Sequence, residues 1–560
     1  MKVTREHTTG AEAVGGTLAD HGVDTVFGVV GSGNFVATDA LVRGGARFLA
    51  ARHEGGAMAM ADAYGRTTGR IAVCSVHQGP GLTNTLTALG EAAKSRTPVV
   101  VIAGATSAGM TRSNFHIDQA ALVTAAGGIA EQLYRPETVV ADTARAYRRA
   151  RDERRPVVLN MPLDVQAARV PGPAEPAGAV ALSPPTADVR PSERVVAELA
   201  AELLAARRPV LLAGRGAWLA GAGAVIGELA DRIGARLATT AVVKGLFAGH
   251  PRDVGIAGGF SEPVAVETLE SADLILALGA TLTTWTTRGD TVFDHRVRVI
   301  QIDRDQRAIG LNGRVDLGIV GDVGATVTAL LAEIDDRPAA GTFDPPPRPP
   351  APDPPGRNTG PAADGTCHPA DLTAWLEELL PAERSLVLDG GHFIGWPAMG
   401  LSVPDPAGFV FTSAGFQSIG LGLGAAIGTA VGRPDRLTVL AVGDGGYRMA
   451  LADLETLVRL DLDVLVVVYN DHAYGAEVHH FLDHGSGLEL VRFPDTDLTG
   501  GGDIAAGARA AGARALTVRR HADLAAAADW FARPRGPLVL DARIDPGVVG
   551  PWAEQDFIGH

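Results

Sequence analysis

Asp444 and Asp471 stand 27 positions apart, each just where an apolar run ends, LTVLAVGD in one case and DVLVVVYND in the other. If both runs are neighbouring parallel strands, their carboxyl ends lie side by side at the crevice where α/β sheets bind ligands. Two hard carboxylate ligands and a loop carbonyl there can hold an octahedral magnesium ion, whose other positions go to phosphate oxygens and water. Gly443, Gly445 and Gly446 flank Asp444 and let the amides of a following helix approach those phosphates. Taken alone, the Gly-Asp-Gly turn is equally an ordinary strand-to-helix connection.

Positioning such groups requires parallel strands alternating with helices, and the chain has that pattern throughout. TVFGVV, IAVCSV, PVVVIAG, PVLLAG, LILALG, VRVIQID, LTVLAVGD and DVLVVVYN are short β-branched runs separated by Ala/Leu-rich amphipathic stretches. They read as parallel strands buried on both faces. The 560 residues exceed a single core and suit three domains. One boundary is the proline-rich stretch PPPRPPAPDPP at 345–355, and a softer one lies at about 168–190. The expected organisation is α/β, with three doubly wound parallel-sheet domains at 1–170, 185–336 and 367–560, the last preceded by a linker over 337–366.

A net charge of -15 without basic runs argues against nucleic-acid or anionic-membrane partners. The opening MKVTREHTTG is polar, and the longest apolar runs, near 98–103 and 462–469, fall short of the ~18 residues of a membrane span. A cytoplasmic protein is expected. Cys74 and Cys367 lie far apart and read as reduced packing residues.

Gly-Asp-Gly followed by a helix, an apolar strand and the pair Asn470-Asp471 resembles the signature of thiamine-diphosphate-dependent enzymes of the acetolactate synthase and 2-oxoacid decarboxylase group. The resemblance implies that Asp444, Asp471 and the Ala473 carbonyl ligate the metal, with Tyr474 and Gly475 closing the motif. It covers nearly the whole chain. HGVDTVFGVVGSGNF, ARHEGGAMAMADAYGRTTGR and VHQGPGLTNTLTALGEAAKSRTPVVVIAG match the family's pyrimidine-binding domain in order and spacing. Glu54 falls on its catalytic glutamate, a carboxylate that favours the imino form of the aminopyrimidine and so activates the thiazolium carbon. On residue type alone, Glu54 is also a helix N-terminal acid favoured by the dipole. FVFTSAGFQSIGLGLGAAIG resembles the stretch that bends the cofactor: Ile419 would be the apolar wedge and the Gln417 carbonyl the acceptor for the 4'-amino group, although a plain core isoleucine fits as well. Gly391 and His392 complete the implied cofactor-binding set.

The implied layout is a pyrimidine-binding domain, a central Rossmann-like domain and a diphosphate-binding domain, in a homodimer with shared sites or a homotetramer. The central domain binds flavin in some members. Here GATLTTWTTR replaces the acidic run of the biosynthetic acetolactate synthases, which disfavours flavin (FAD). Substrate-facing positions form a mosaic. Ser32 and His77 match benzoylformate decarboxylase, Glu477 matches pyruvate decarboxylase, and His116 falls where acetolactate synthases carry glutamine. These groups read either as proton relays or as structural residues, and His479 and His480 as surface or capping residues. The expected activity is carboligation of a 2-oxoacid donor, after loss of carbon dioxide, to an aldehyde or ketone acceptor. A simple 2-oxoacid decarboxylase is the alternative; a flavin-dependent oxidase and a non-catalytic cofactor-binding relic are disfavoured.

Overall fold

The computed structural model of the chain describes residues 8–171, 189–293, 295–335, 337–341, 343, 365–483, 485, 487, 490–492 and 503–553. The proline-rich stretch at 345–355 and most of the softer boundary fall outside them. Three six-stranded sheets form, parallel in every pairing. The three-domain α/β expectation holds at that level.

The first sheet contains β1 (Thr25–Gly28), β2 (Arg47–Ala50), β3 (Ala72–Val76), β4 (Val99–Ala105), β5 (Ile129–Gln132) and β6 (Val157–Pro162), in the order β2-β1-β3-β4-β6-β5. The central sheet contains β7 (Pro209–Ala213), β8 (Arg236–Thr239), β9 (Asp253–Ile256), β10 (Leu274–Leu278), β11 (Arg298–Asp303) and β12 (Leu317–Val320), ordered β12-β11-β10-β7-β8-β9. The third contains β13 (Arg384–Leu388), β14 (Phe409–Phe411), β15 (Leu437–Gly443), β16 (Val464–Asn470), β17 (Arg514–Val518) and β18 (Leu538–Arg543), ordered β14-β13-β15-β16-β18-β17. Central strands such as β16 are buried along their whole length, which is why they read as unbroken apolar runs.

The outer domains share one core. The helix Glu54–Thr68 of the first domain lies against the helix Gly422–Gly432 of the third. Glycines permit the approach: a Cβ on Gly428 would sit 2.1 Å from the Met60 carbonyl oxygen, and one on Gly424 2.9 Å from that of Gly56. Even a methyl group there forces the helices apart, a strain of about 1–3 kcal/mol. Glu54 opens the first of these helices, behind the His53 N-cap, so this contact fixes where Glu54 stands. Both cysteines are free and buried. No helix among the described residues is long and apolar enough to cross a membrane.

Candidate functional site

A cleft of about 1830 Å³ opens between the central and third domains, with residues 94–96 and 151–155 of the first domain completing its lining. Its third-domain wall is made by the segments that follow β13, β14, β15 and β16, so Gly391, His392, Gln417, Ile419, Gly443, Asp444, Gly445, Gly446, Asp471, Ala473, Tyr474, Gly475 and Glu477 all line it. The register of the central strand pair sets the key contact. Gly443 lies opposite Tyr469 in the β15–β16 ladder, which brings Asp444 and Asp471, the residues just beyond, close enough for each carboxyl to perturb the other. Burial raises the pKa of both carboxyls, and the proximity of Asp471 raises that of Asp444 further. Two neighbouring carboxyls withdrawn from water favour a shared proton or a cation between them.

The remaining features of this wall suit a bound diphosphate and its metal. Among the described residues no group of three or more His, Cys, Asp or Glu side chains could hold a metal; an ion at this wall would draw on Asp444, Asp471 and a backbone carbonyl. That is the donor set of a magnesium ion that keeps phosphate and water ligands. Gly391 has φ +144°, and a Cβ on Gly445 would meet the Tyr474 ring at 2.6 Å, so side chains are excluded where a diphosphate would approach the backbone. His392 Nε2 is buried without a hydrogen-bond partner; burial and the neighbouring His479 push its pKa down to about 4, leaving a neutral ring able to donate to an anion. The residues therefore fit thiamine diphosphate with magnesium.

The 412–421 loop carries Gln417 and Ile419. Gln417 adopts φ +51°, a left-handed conformation uncommon for a residue with a long side chain. Asp389, buried at the end of β13, accepts from the Gly420 amide at 2.9 Å, and burial pushes its pKa up to about 6. Ile419 abuts Gly390, whose Cβ would lie 2.9 Å from Ile419 Cγ2.

A second group of residues gathers on the carboxyl edge of the first sheet. Half-buried Glu54 accepts from Asn84 Nδ2 at 2.9 Å through Oε2. Gly81 separates it from His77: a Cβ there would lie 3.1 Å from His77 Cβ and 3.5 Å from Glu54 Oε1. His77 Nδ1 lies 3.2 Å from the Gln78 carbonyl, to which it can only donate, and Nε2 pairs with the Ser32 hydroxyl at 3.3 Å. Phe115 packs edge-on against the His77 ring, and exposed His116 pairs through Nδ1 with Thr106 Oγ1 at 2.9 Å. The four residues Ser32, Glu54, His77 and His116 thus share one edge, but none of them lines the third-domain cleft.

Several residues that shape the site lie outside the sequence motifs. Asp541 accepts from Asn470 Nδ2 at 2.7 Å and pairs with Arg543 at 2.9 Å, and Arg543 in turn contacts His472; together they brace the turn bearing Asp471 and Ala473. A search for polar residues at the end of β18, beside β16, would have found them. His479 and His480 depart from the surface role expected of them. The helix Gly475–Asp483 folds back over the cleft, so His480 lines it and His479 lies against His392 with ring centroids 4.4 Å apart.

Residues 8–124 match the N-terminal TPP binding domain of thiamine pyrophosphate enzymes, 196–330 their central domain and 389–542 their C-terminal TPP binding domain. The chain is 32% identical over 525 residues, 88% of each chain, to the "Probable 2-ketoarginine decarboxylase AruI" of Pseudomonas aeruginosa. It is 31% identical over 497 residues to the acetolactate synthase large subunit of Parasynechococcus marenigrum, covering 83% of this chain and 77% of that one. It is 30% identical over 508 residues to the sulfoacetaldehyde acetyltransferase of Rhodobacter capsulatus, covering 85% and 83%. The chain belongs to the thiamine pyrophosphate enzyme family, and is an enzyme.

Proposed function

We propose that this enzyme is a carboligase that takes a 2-oxoacid donor, releases carbon dioxide and joins the remaining fragment to an aldehyde or ketone acceptor, using thiamine diphosphate and magnesium. The observation that carries the reading is the pairing of Asp444 with Asp471 in a cleft that Gln417 and Ile419 also line. When bound, the cofactor supplies a carbon nucleophile and stores the electron pair left by decarboxylation.

The chain's own groups divide the remaining work. Asp444, Asp471 and the Ala473 carbonyl hold the metal, Gly391, His392, Gly443, Gly445, Gly446, Tyr474 and Gly475 form the diphosphate cradle, and the Gln417 carbonyl and Ile419 orient the pyrimidine. Glu54 holds a proton at the pyrimidine ring nitrogen. Ser32, His77, His116 and Glu477 are placed to move protons at the substrate oxygen and at the carbon that loses carbon dioxide. Since Glu54 stands apart from the cleft within one chain, the complete site is built by two chains, each giving its first-domain edge to the other's cleft, in a homodimer or a tetramer of two such pairs. No step is assigned to flavin.

Relatives named as an acetolactate synthase and an acetyltransferase favour carboligation; the 2-ketoarginine decarboxylase name favours simple decarboxylation with aldehyde release as the second reading. The test is incubation of the magnesium- and thiamine-diphosphate-loaded protein with a panel of 2-oxoacids, with and without aldehyde or ketone acceptors. Products longer than the decarboxylated donor support carboligation, aldehyde alone supports the second reading, and no loss of carbon dioxide from any member contradicts both.

A further inference from the structure

Glu91 is fully buried on the helix Leu86–Lys94 of the first domain, yet its carboxylate ends in the third-domain loop that carries Gln417. Oε2 accepts from the Phe416 amide at 2.6 Å and from the Gly415 amide at 3.1 Å. Oε1 accepts from Ser95 Oγ at 2.7 Å and from Arg66 Nη2 at 2.9 Å. Arg66 itself reaches the same strand-and-loop segment, donating to the Phe411 carbonyl at 2.8 Å. The loop is seated closely on this helix end: a Cβ on Gly415 would come within 2.9 Å of Lys94 Cβ and 3.0 Å of Ser95 Oγ.

We infer that Glu91 is a positioning residue for the cofactor's pyrimidine, acting through the loop amides to hold Gln417 in its left-handed conformation and so aim the Gln417 carbonyl. The inference rests on the proposed cofactor reading and extends it to a residue outside the cleft. A non-glycine residue at φ +51° persists only where its surroundings over-determine it. Here the restraints are the bond from the Gln417 amide to the Ser413 carbonyl, 3.0 Å, the Asp389 anchor on Gly420, and the two charge-assisted bonds to Glu91 on the residues immediately before. Charge-assisted bonds are the stronger kind. Replacing the carboxylate by an amide turns one acceptor oxygen into a donor facing other donors, and frees the peptide that leads into Gln417. Neither Glu91 nor Arg66 lines the cleft, so the diphosphate anchors are untouched.

The experiment compares wild type, Glu91→Gln and Glu91→Asp as magnesium-loaded proteins. It measures thiamine diphosphate affinity by calorimetry, proton-deuterium exchange at the cofactor's C2, and backbone amide exchange of 412–421 by mass spectrometry. Glu91→Gln is expected to bind the cofactor within about threefold of wild type, to lose amide protection over 412–421, and to slow C2 exchange by about tenfold or more at saturation. Glu91→Asp keeps the charge and restores part of both. Should Glu91→Gln not yield folded protein, the shorter reach of Glu91→Asp carries the same comparison with wild type. C2 exchange at the wild-type rate, or slowed exchange with unchanged protection of 412–421, overturns the role of Glu91. A wild type that exchanges C2 no faster than free cofactor overturns the cofactor reading, and this inference with it.

Discussion

Asp444 and Asp471 meet because Gly443 and Tyr469 are partners in a parallel ladder, so a sheet register decides where two carboxyls share one site. Without a cation the pair is held in contact only by a shared proton, and with one it can ionise fully. Asp444→Ala should therefore weaken thiamine diphosphate binding in magnesium by about a hundredfold or more, with the fold retained. Calorimetry checks this, and affinity equal to wild type would contradict the assignment.

The reach of sequence reading follows from the same geometry. Strands β4, β10, β15 and β16 were legible because both faces are buried and the residue type hardly varies along them. Short strands such as β14, three residues long, give no periodicity to read. The Gly-Asp-Gly and Asn-Asp turns were legible as motifs because each is local in sequence. Glu91 was not, since its loop partners lie 324 and 325 positions away and only the packing of two domains brings them together. His479 and His480 were misjudged for a related reason: adjacent residues on a helix say nothing about which cavity the helix covers.

Asp453 makes a prediction about pH. It is buried, its Oδ1 has no hydrogen-bond partner, and it presses on the start of the Glu54 helix, where a Cβ on Gly56 would lie 2.1 Å from Oδ2. Desolvation pushes its pKa up to about 7. With the folded value raised, the unfolded chain gives up this proton first, so stability falls as pH rises from about 4 to 7 and the deficit is constant above that. Asp453→Asn should remove this fall and be more stable than wild type at pH 8 by on the order of 2–4 kcal/mol. Melting curves across pH test it; parallel profiles for the two proteins would contradict it.

A site built from two chains predicts complementation. Glu54→Gln and Asp444→Ala proteins should each be nearly inactive, yet a mixed dimer retains one intact site. Co-expression with two affinity tags, followed by isolation of the mixed species, should recover up to about half of wild-type activity. No recovery in verified mixed dimers would place the whole site within one chain.

The proton-handling residues should govern product choice. Replacing His77, His116 or Glu477 by Gln leaves Glu54 and the metal site intact, so decarboxylation should persist while protonation slows by about tenfold or more. Single turnovers with one 2-oxoacid and a fixed acceptor should then shift toward the joined product. Unchanged ratios and rates in all three variants would make these residues structural.

The most direct measurement of the central claim is proton-deuterium exchange at C2 of bound thiamine diphosphate, followed by quenched-flow NMR in wild type and Glu54→Gln. The account predicts exchange in wild type far faster than in free cofactor, and a loss of about a hundredfold or more in Glu54→Gln with cofactor affinity within about tenfold. Exchange as fast in Glu54→Gln as in wild type would contradict it.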